Sequence, residues 1–281
     1  VCTPRSEMLV SFAACFLPSV LALTVASPAK LATPLVPRIV PAPLPTVYVY
    51  DHCPFCVRVR LALGIKNVKH NVHFLSNDDV ETPTGLVGKK IAPIWVDREE
   101  APMPESMDII EKVDADAAFG APGLIKPASG RTDLKAWQKT VQRAMRLTQR
   151  PRYVLSPLPE FMQYDARRAF IKNHFVPIGE LDKPSWKELT QEEHDNYYAE
   201  AISMTADLIP QLNAALKELE PLIHSPQCVT EGGVSYDDID TWARLRSLTI
   251  VKGLDFPTKV RAYLDYFAEL GDVPLYDSMA C

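Results

Sequence analysis

Apolar and polar positions divide the chain into three unlike stretches. Residues 9–26 form an apolar run without a charge, and residues 27–45 are rich in Pro, Ala and Leu. Prolines at that density prevent helix and sheet, so residues 1–45 read as a leader and spacer outside the fold. Pro18 and the small-residue exit Ala26-Ser-Pro-Ala29 suit a signal peptide better than a membrane anchor, so no stable span is expected in the mature protein. From residue 46, strand-like and helical runs alternate. Residues 46–50 (TVYVY), 70–75 (HNVHFL) and 90–96 (KIAPIWV) predict strands, and residues 54–63 and 105–113 predict helices. Pro83, Gly85 and Gly88 mark a turn-rich piece with room for a short helix, and one further strand fits before residue 105. Beyond Gly120 the period changes to that of amphipathic helices, expected over residues 132–148, 158–174, 190–219, 236–251 and 257–270.

This pattern predicts an α/β domain of thioredoxin-like order over residues 46–119 and an all-helical domain over 131–281. The linker of residues 120–130, rich in Gly and Pro, would join them. Pro93 inside the third strand-like run marks an edge, a bulge or a special bend, because proline cannot donate to a ladder. Ser235 and Asp238 are spaced to cap the helix that carries Ile239, Trp242, Leu245 and Leu248.

Composition narrows the function. The chain has 281 residues, 47% of them hydrophobic and 23% charged, with a net charge of −5. Arg5, Lys30 and Arg38 outweigh Glu7 by two charges before Asp51, which leaves −7 for the remainder and no basic surface for nucleic acid. The six cysteines are too few and too unevenly spaced for a disulfide framework. One pair stands close, Cys53 and Cys56, a spacing that serves either a redox dithiol or half a metal site. Cys228 and Cys281 are isolated and no second pair exists, which favours redox chemistry without a metal.

Position adds to this. Cys53-Pro54-Phe55-Cys56 falls where a strand hands over to a helix, so unpaired backbone N–H groups of the first turn would favour a Cys53 thiolate. A free cysteine titrates near ~8.5, and helix-terminal Cys-x-x-Cys thiols fall to roughly 3.5–7.5. Cys56, one turn further in, suits the resolving role. Pro54 costs nothing at the first helical position, which has no N–H to lose. His52 reads as a solvated loop histidine, and Arg58 and Arg60 as solubilising helix-surface charges.

The runs Tyr48-Val-Tyr-Asp-His-Cys-Pro-Phe-Cys56, Asn77-Asp-Asp-Val-Glu-Thr-Pro83 and Met103-Pro-Glu-Ser-Met-Asp-Ile109 together resemble the large two-domain glutaredoxins of the glutaredoxin 2 type. The resemblance extends from about residue 47 to the end, through Asp237-Asp-Ile239, Leu245-Arg-Ser-Leu-Thr249 and Ser278-Met-Ala280. It implies a glutathione-transferase-like architecture and a monomeric thiol-disulfide oxidoreductase. Glutathione would be the co-substrate, and glutathionylated proteins or small disulfides the partners. Carried over by position, Cys53 is the nucleophile and Cys56 the resolving thiol. Pro93 corresponds to a cis-proline, and Ala92 to the residue whose backbone pairs with the cysteinyl part of glutathione. Glu105 and Ser106 correspond to the pair holding the γ-glutamyl end, although alone they would read as helix capping. Ala92 stands where valine is usual in the family, so looser local packing is expected. Residues 178–193 look like an insertion and receive no role. A glutathione transferase or dehydroascorbate reductase is the nearest alternative, and an iron-sulfur or membrane-associating module a more distant one. The leader implies an organelle reached by import, a plastid ahead of a secretory or mitochondrial destination.

Overall fold

The computed structural model describes residues 44–98 and 100–281. The leader expected over residues 1–45 therefore lies almost wholly outside the described residues. Strand β1 (Thr46–Val49) is central in a four-stranded sheet of order β2-β1-β3-β4, with β2 at Asn71–Phe74, β3 at Ile94–Val96 and β4 at Met103–Pro104. β1 pairs parallel to β2 and antiparallel to β3, and β3 pairs antiparallel to β4. Val47 and Val49 alternate into the core, where Trp95, the partner of Val47, meets them, while Ile94 is buried on the opposite face beside Tyr48, as a period of two requires. The parallel β1–β2 pair needs a crossover, and helix α1 (Pro54–Ile65) supplies it. β3 starts only after Pro93, so residues 90–93 leave the expected strand, because proline has no N–H to donate to the ladder; the Ala92–Pro93 peptide is cis. Helix α2 (Glu81–Val87) fills the turn-rich piece, and α3 (Ser106–Ala115) closes this half.

The second half is helical: α4 (Asp133–Leu155), α5 (Tyr164–Asn173), α6 (Lys183–Glu188), α7 (Gln191–Ser203), α8 (Thr205–Leu219), α9 (Tyr236–Arg246) and α10 (Thr258–Leu270). Two expected helices are divided. Pro159 sets off a short 3-10 turn before α5, and the run 190–219 breaks at Met204, which ends α7 and opens α8, with Pro210 accommodated inside α8. Within residues 178–193, α6 buries Trp186, whose indole donates to the Ile171 carbonyl at 3.0 Å, so the stretch contributes to the core. Asp238 accepts from the Ser235 backbone N–H at 2.9 Å and from Val229 N–H at 2.7 Å, which fixes the start of α9.

Helix α1 joins the halves. It packs on α3 on one side and on α9 and α10 on the other. Its neighbour at the far end is so close that a Cβ at Gly64 would come within 1.9 Å of the Gly271 carbonyl oxygen. Among the described residues no helix is long and apolar enough to cross a membrane.

Candidate active site

Cys53 is the N-cap of α1, with Pro54 in the first turn. Its sulfur is half-buried, whereas Cys56 is fully buried one turn inside, and both thiols are free. The two differ sharply in acidity. A hydrogen bond from Cys56 is the largest cause that draws the Cys53 thiol down to about 6, against the opposing effect of burial; nearby His52 and the backbone N–H groups of Cys56 and Phe55 assist. Burial and the neighbouring Cys53 sulfur push Cys56 well up. The Tyr50 backbone N–H points at Cys56 Sγ from 3.3 Å. The two thiols are thus set apart: the half-buried Cys53 at the helix start has its thiolate favoured, and the buried Cys56 behind it has its thiol favoured.

The loop before Cys53 is tightly held. Asp51 is buried between Arg246 and Arg60, and the Tyr276 hydroxyl donates to the Asp51 carbonyl at 2.8 Å. The His52 backbone N–H donates to Glu160 Oε1 at 2.8 Å, and its ring Nδ1 lies 2.6 Å from the same oxygen. Glu160 is fully buried, and its Oε2 has no hydrogen-bond partner. The structure corrects three sequence readings here. His52 is a half-buried, paired ring packed among Tyr153, Phe161 and Phe170 at centroid distances of 5.3, 5.1 and 4.9 Å, not a solvated loop side chain. Arg58 is buried in a salt bridge to Asp240, and the half-buried Arg60 pairs with the buried Asp51, so neither is a solubilising surface charge.

The residues matched to glutathione binding gather at the same end of the sheet. Tyr48 pairs with Ile94 and Ile94 with Pro104, so extending the register by one residue sets Pro93 between Val49 and Glu105. Pro93 is buried and Ala92 half-buried against the core beside Cys53. Glu105 takes φ 73°, unusual for a side-chain-bearing residue, and its exposed carboxylate lies 3.5 Å from Lys89 Nζ. Ser106 begins α3 and is buried.

Cys53 also lines a cleft of about 690 Å³ between the start of α1 and helix α4, walled by Phe55, Tyr153, Phe170 and His174. Burial pushes His174 down to about 3, so it faces the cleft as a neutral imidazole. Among the described residues no group of three or more His, Cys, Asp or Glu side chains converges as a metal site would require. Sequence reading missed Glu160, Arg246 and Tyr276. Only Arg246 left a signal, as a charge in the apolar run that ends α9.

A Cys-Pro-Phe-Cys pair at the strand-to-helix junction, a cis-proline just ahead of the adjoining strand and an attached helical domain define a protein of the thioredoxin-like, glutathione-transferase-like class. Residues 52–116 match the model of the glutathione S-transferase N-terminal domain, and residues 185–280 match that of the glutaredoxin 2 C-terminal domain. Glutaredoxin 2 of Escherichia coli strain K12 is 34% identical over 234 residues, 83% of this chain and 99% of that one. The crystal structure of Salmonella typhimurium glutaredoxin 2 in complex with glutathione superposes with a TM-score of 0.73 at 32% identity, covering 85% of this chain and 100% of that one. The chain belongs to the glutaredoxin 2 family.

Proposed function

We propose that the protein is a glutathione-dependent oxidoreductase that reduces mixed disulfides between glutathione and a thiol partner through Cys53. The observation that carries this reading is the split in acidity between Cys53 and Cys56. The Cys53 thiolate attacks the glutathione sulfur, the old S–S bond breaks, and the partner leaves as a thiolate that takes a proton from water. A second glutathione thiolate then attacks the Cys53 mixed disulfide, releasing oxidised glutathione and restoring Cys53. In the dithiol branch, Cys56 gives up its proton to the departing glutathione as it closes a Cys53–Cys56 disulfide. Two glutathiones then reopen that disulfide, with oxidised glutathione as the product.

Glutathione would lie along the sheet end, with its cysteinyl backbone on Ala92 beside Pro93 and its γ-glutamyl end at Glu105 and Ser106. That end carries an ammonium and a carboxylate, for which a carboxylate and a helix start with a hydroxyl are suitable partners. The matched family and the glutathione held by the Salmonella relative support this placement.

The test is glutathione-dependent turnover of a small mixed disulfide, coupled to glutathione reductase. Cys53→Ser is expected to abolish turnover and Cys56→Ser to keep a monothiol cycle. Conjugation of glutathione to an electrophile without disulfide reduction would replace this reading with that of a transferase.

A further inference from the structure

The cleft beside Cys53 is strongly cationic in a protein of net charge −5. Its wall carries Arg58, Lys135, Lys139, Arg146, Arg150 and Arg244 against a single carboxylate, Asp240. Asp240 is already engaged by Arg58 and by Arg244, the latter at 3.0 Å, and by Gln138 at 3.2 Å. The other four cations all belong to α4. Their spacing of four, seven and four residues places them along one helical face, turned to the cleft. Among the described residues none of these four makes a salt bridge, and the guanidinium of Arg150 donates to the Phe175 carbonyl alone. At the lower end of this face Arg150 is half-buried, and burial with the like charge of Arg146 brings its pKa down to about 10. Charges held together without a counter-ion at the mouth of a reactive thiol are suited to an anion that arrives with the substrate.

We propose that this cleft receives an acidic polypeptide segment flanking the disulfide that Cys53 attacks, so that the preferred substrates are glutathionylated proteins with Asp or Glu beside the modified cysteine. The inference rests on the redox reading above, in which glutathione lies along Ala92, Pro93, Glu105 and Ser106, none of which lines the cleft. Length argues for a polypeptide rather than a small anion. From Lys135 to Arg150 the helix rises about 22 Å, the reach of roughly seven extended residues.

The experiment compares three glutathionylated peptides that differ only in the residues flanking the cysteine, which are acidic, their Asn and Gln counterparts, or Lys. kcat/KM is measured for each with the full-length chain. Expected is about a tenfold preference for the acidic over the neutral peptide at low salt, shrinking to within about twofold at roughly 0.5 M salt. Lys135→Gln, and separately Lys139→Gln with Arg146→Gln, should each cut that ratio by about threefold or more. Because both peptides are read on the same protein, a general loss of activity cancels. A wild-type ratio within about twofold of one at low salt, or a ratio that survives in both variants, overturns the inference. If wild type turns over none of the three peptides, the redox reading fails and takes this one with it.

Discussion

Arg246 Nη2 donates to both carboxylate oxygens of Asp51, at 3.1 and 3.2 Å, and its Nη1 donates to the Asp51 carbonyl at 2.9 Å. A residue at the end of α9 thereby fixes the loop that delivers Cys53 to the start of α1. Position in the helical half therefore bears directly on the geometry of the thiol. Burial alone would raise the Asp51 carboxyl, but Arg246 and Arg60 outweigh it and hold it below the ordinary carboxylate range.

Arg246→Met should cost about 3–5 kcal/mol, because it leaves a buried carboxylate with Arg60 as its one remaining cation. Urea unfolding at pH 7 measures this, and a loss within about 0.5 kcal/mol would show that Arg60 suffices. The pH dependence has a fixed sign. Since the folded pKa of Asp51 is depressed, its contribution is complete above the unfolded value of ~3.9 and drains away as pH falls through the lower folded value. The gap between wild type and variant should close in that acid window.

The ionisation of Cys53 can be followed by the pH dependence of its alkylation in the reduced protein. The rate should rise through a midpoint of about 6 and level off above it, whereas an ordinary thiol would still be rising at ~8.5. Cys56→Ala removes the hydrogen bond that does most to lower Cys53, so the midpoint should move up. A midpoint left in place by Cys56→Ala would assign the acidity to the helix N-terminus and His52 instead.

Much of this site could be read from the sequence because its parts are local. The Cys-Pro-Phe-Cys spacing, Pro93 within a strand-like run and Glu105-Ser106 at a helix start each show within a few residues. What the sequence did not show is where long-range partners come from. Glu160 meets His52 across 108 positions and Arg246 meets Asp51 across 195. One signal was available and went unused. In α1, Val57, Val59, Leu61 and Leu63 are all buried, and a helix with apolar residues all round is enclosed on all sides. Arg58 and Arg60 within it therefore had to find counter-charges rather than water. The divided helices were hidden for another reason, since the apolar periodicity persists across the breaks before Tyr164 and at Met204.

Two glycines of the first half should respond oppositely to alanine. At Gly64 the new Cβ would overlap the Gly271 carbonyl oxygen, which is backbone and has little room to yield, so the junction of α1 with α10 must shift. A loss of about 1–3 kcal/mol or more is expected. At Gly85, inside α2, a Cβ meets nothing within 4 Å, so alanine should gain about 0.5–1 kcal/mol from helix propensity. Thermal unfolding of the two variants side by side measures both, and a neutral Gly64→Ala would mean that the α1–α10 contact is looser than described.

His52→Ala separates electrostatic from structural roles at the thiol. His52 favours the Cys53 thiolate, so its loss should move the alkylation midpoint upward. The same substitution empties a ring-sized space among Tyr153, Phe161 and Phe170 and leaves Glu160 buried with only the backbone N–H of residue 52. A stability loss of about 3 kcal/mol follows from the cavity and the orphaned carboxylate together. Glu160→Gln in the His52→Ala background tests that division. Neutralising the orphaned charge should recover part of the stability and return the midpoint only in part, because the lost Glu160 carboxylate no longer opposes the thiolate but the glutamine supplies nothing in place of the ring. Full recovery of the midpoint along with stability would instead mean that His52 tunes Cys53 by holding the loop in shape.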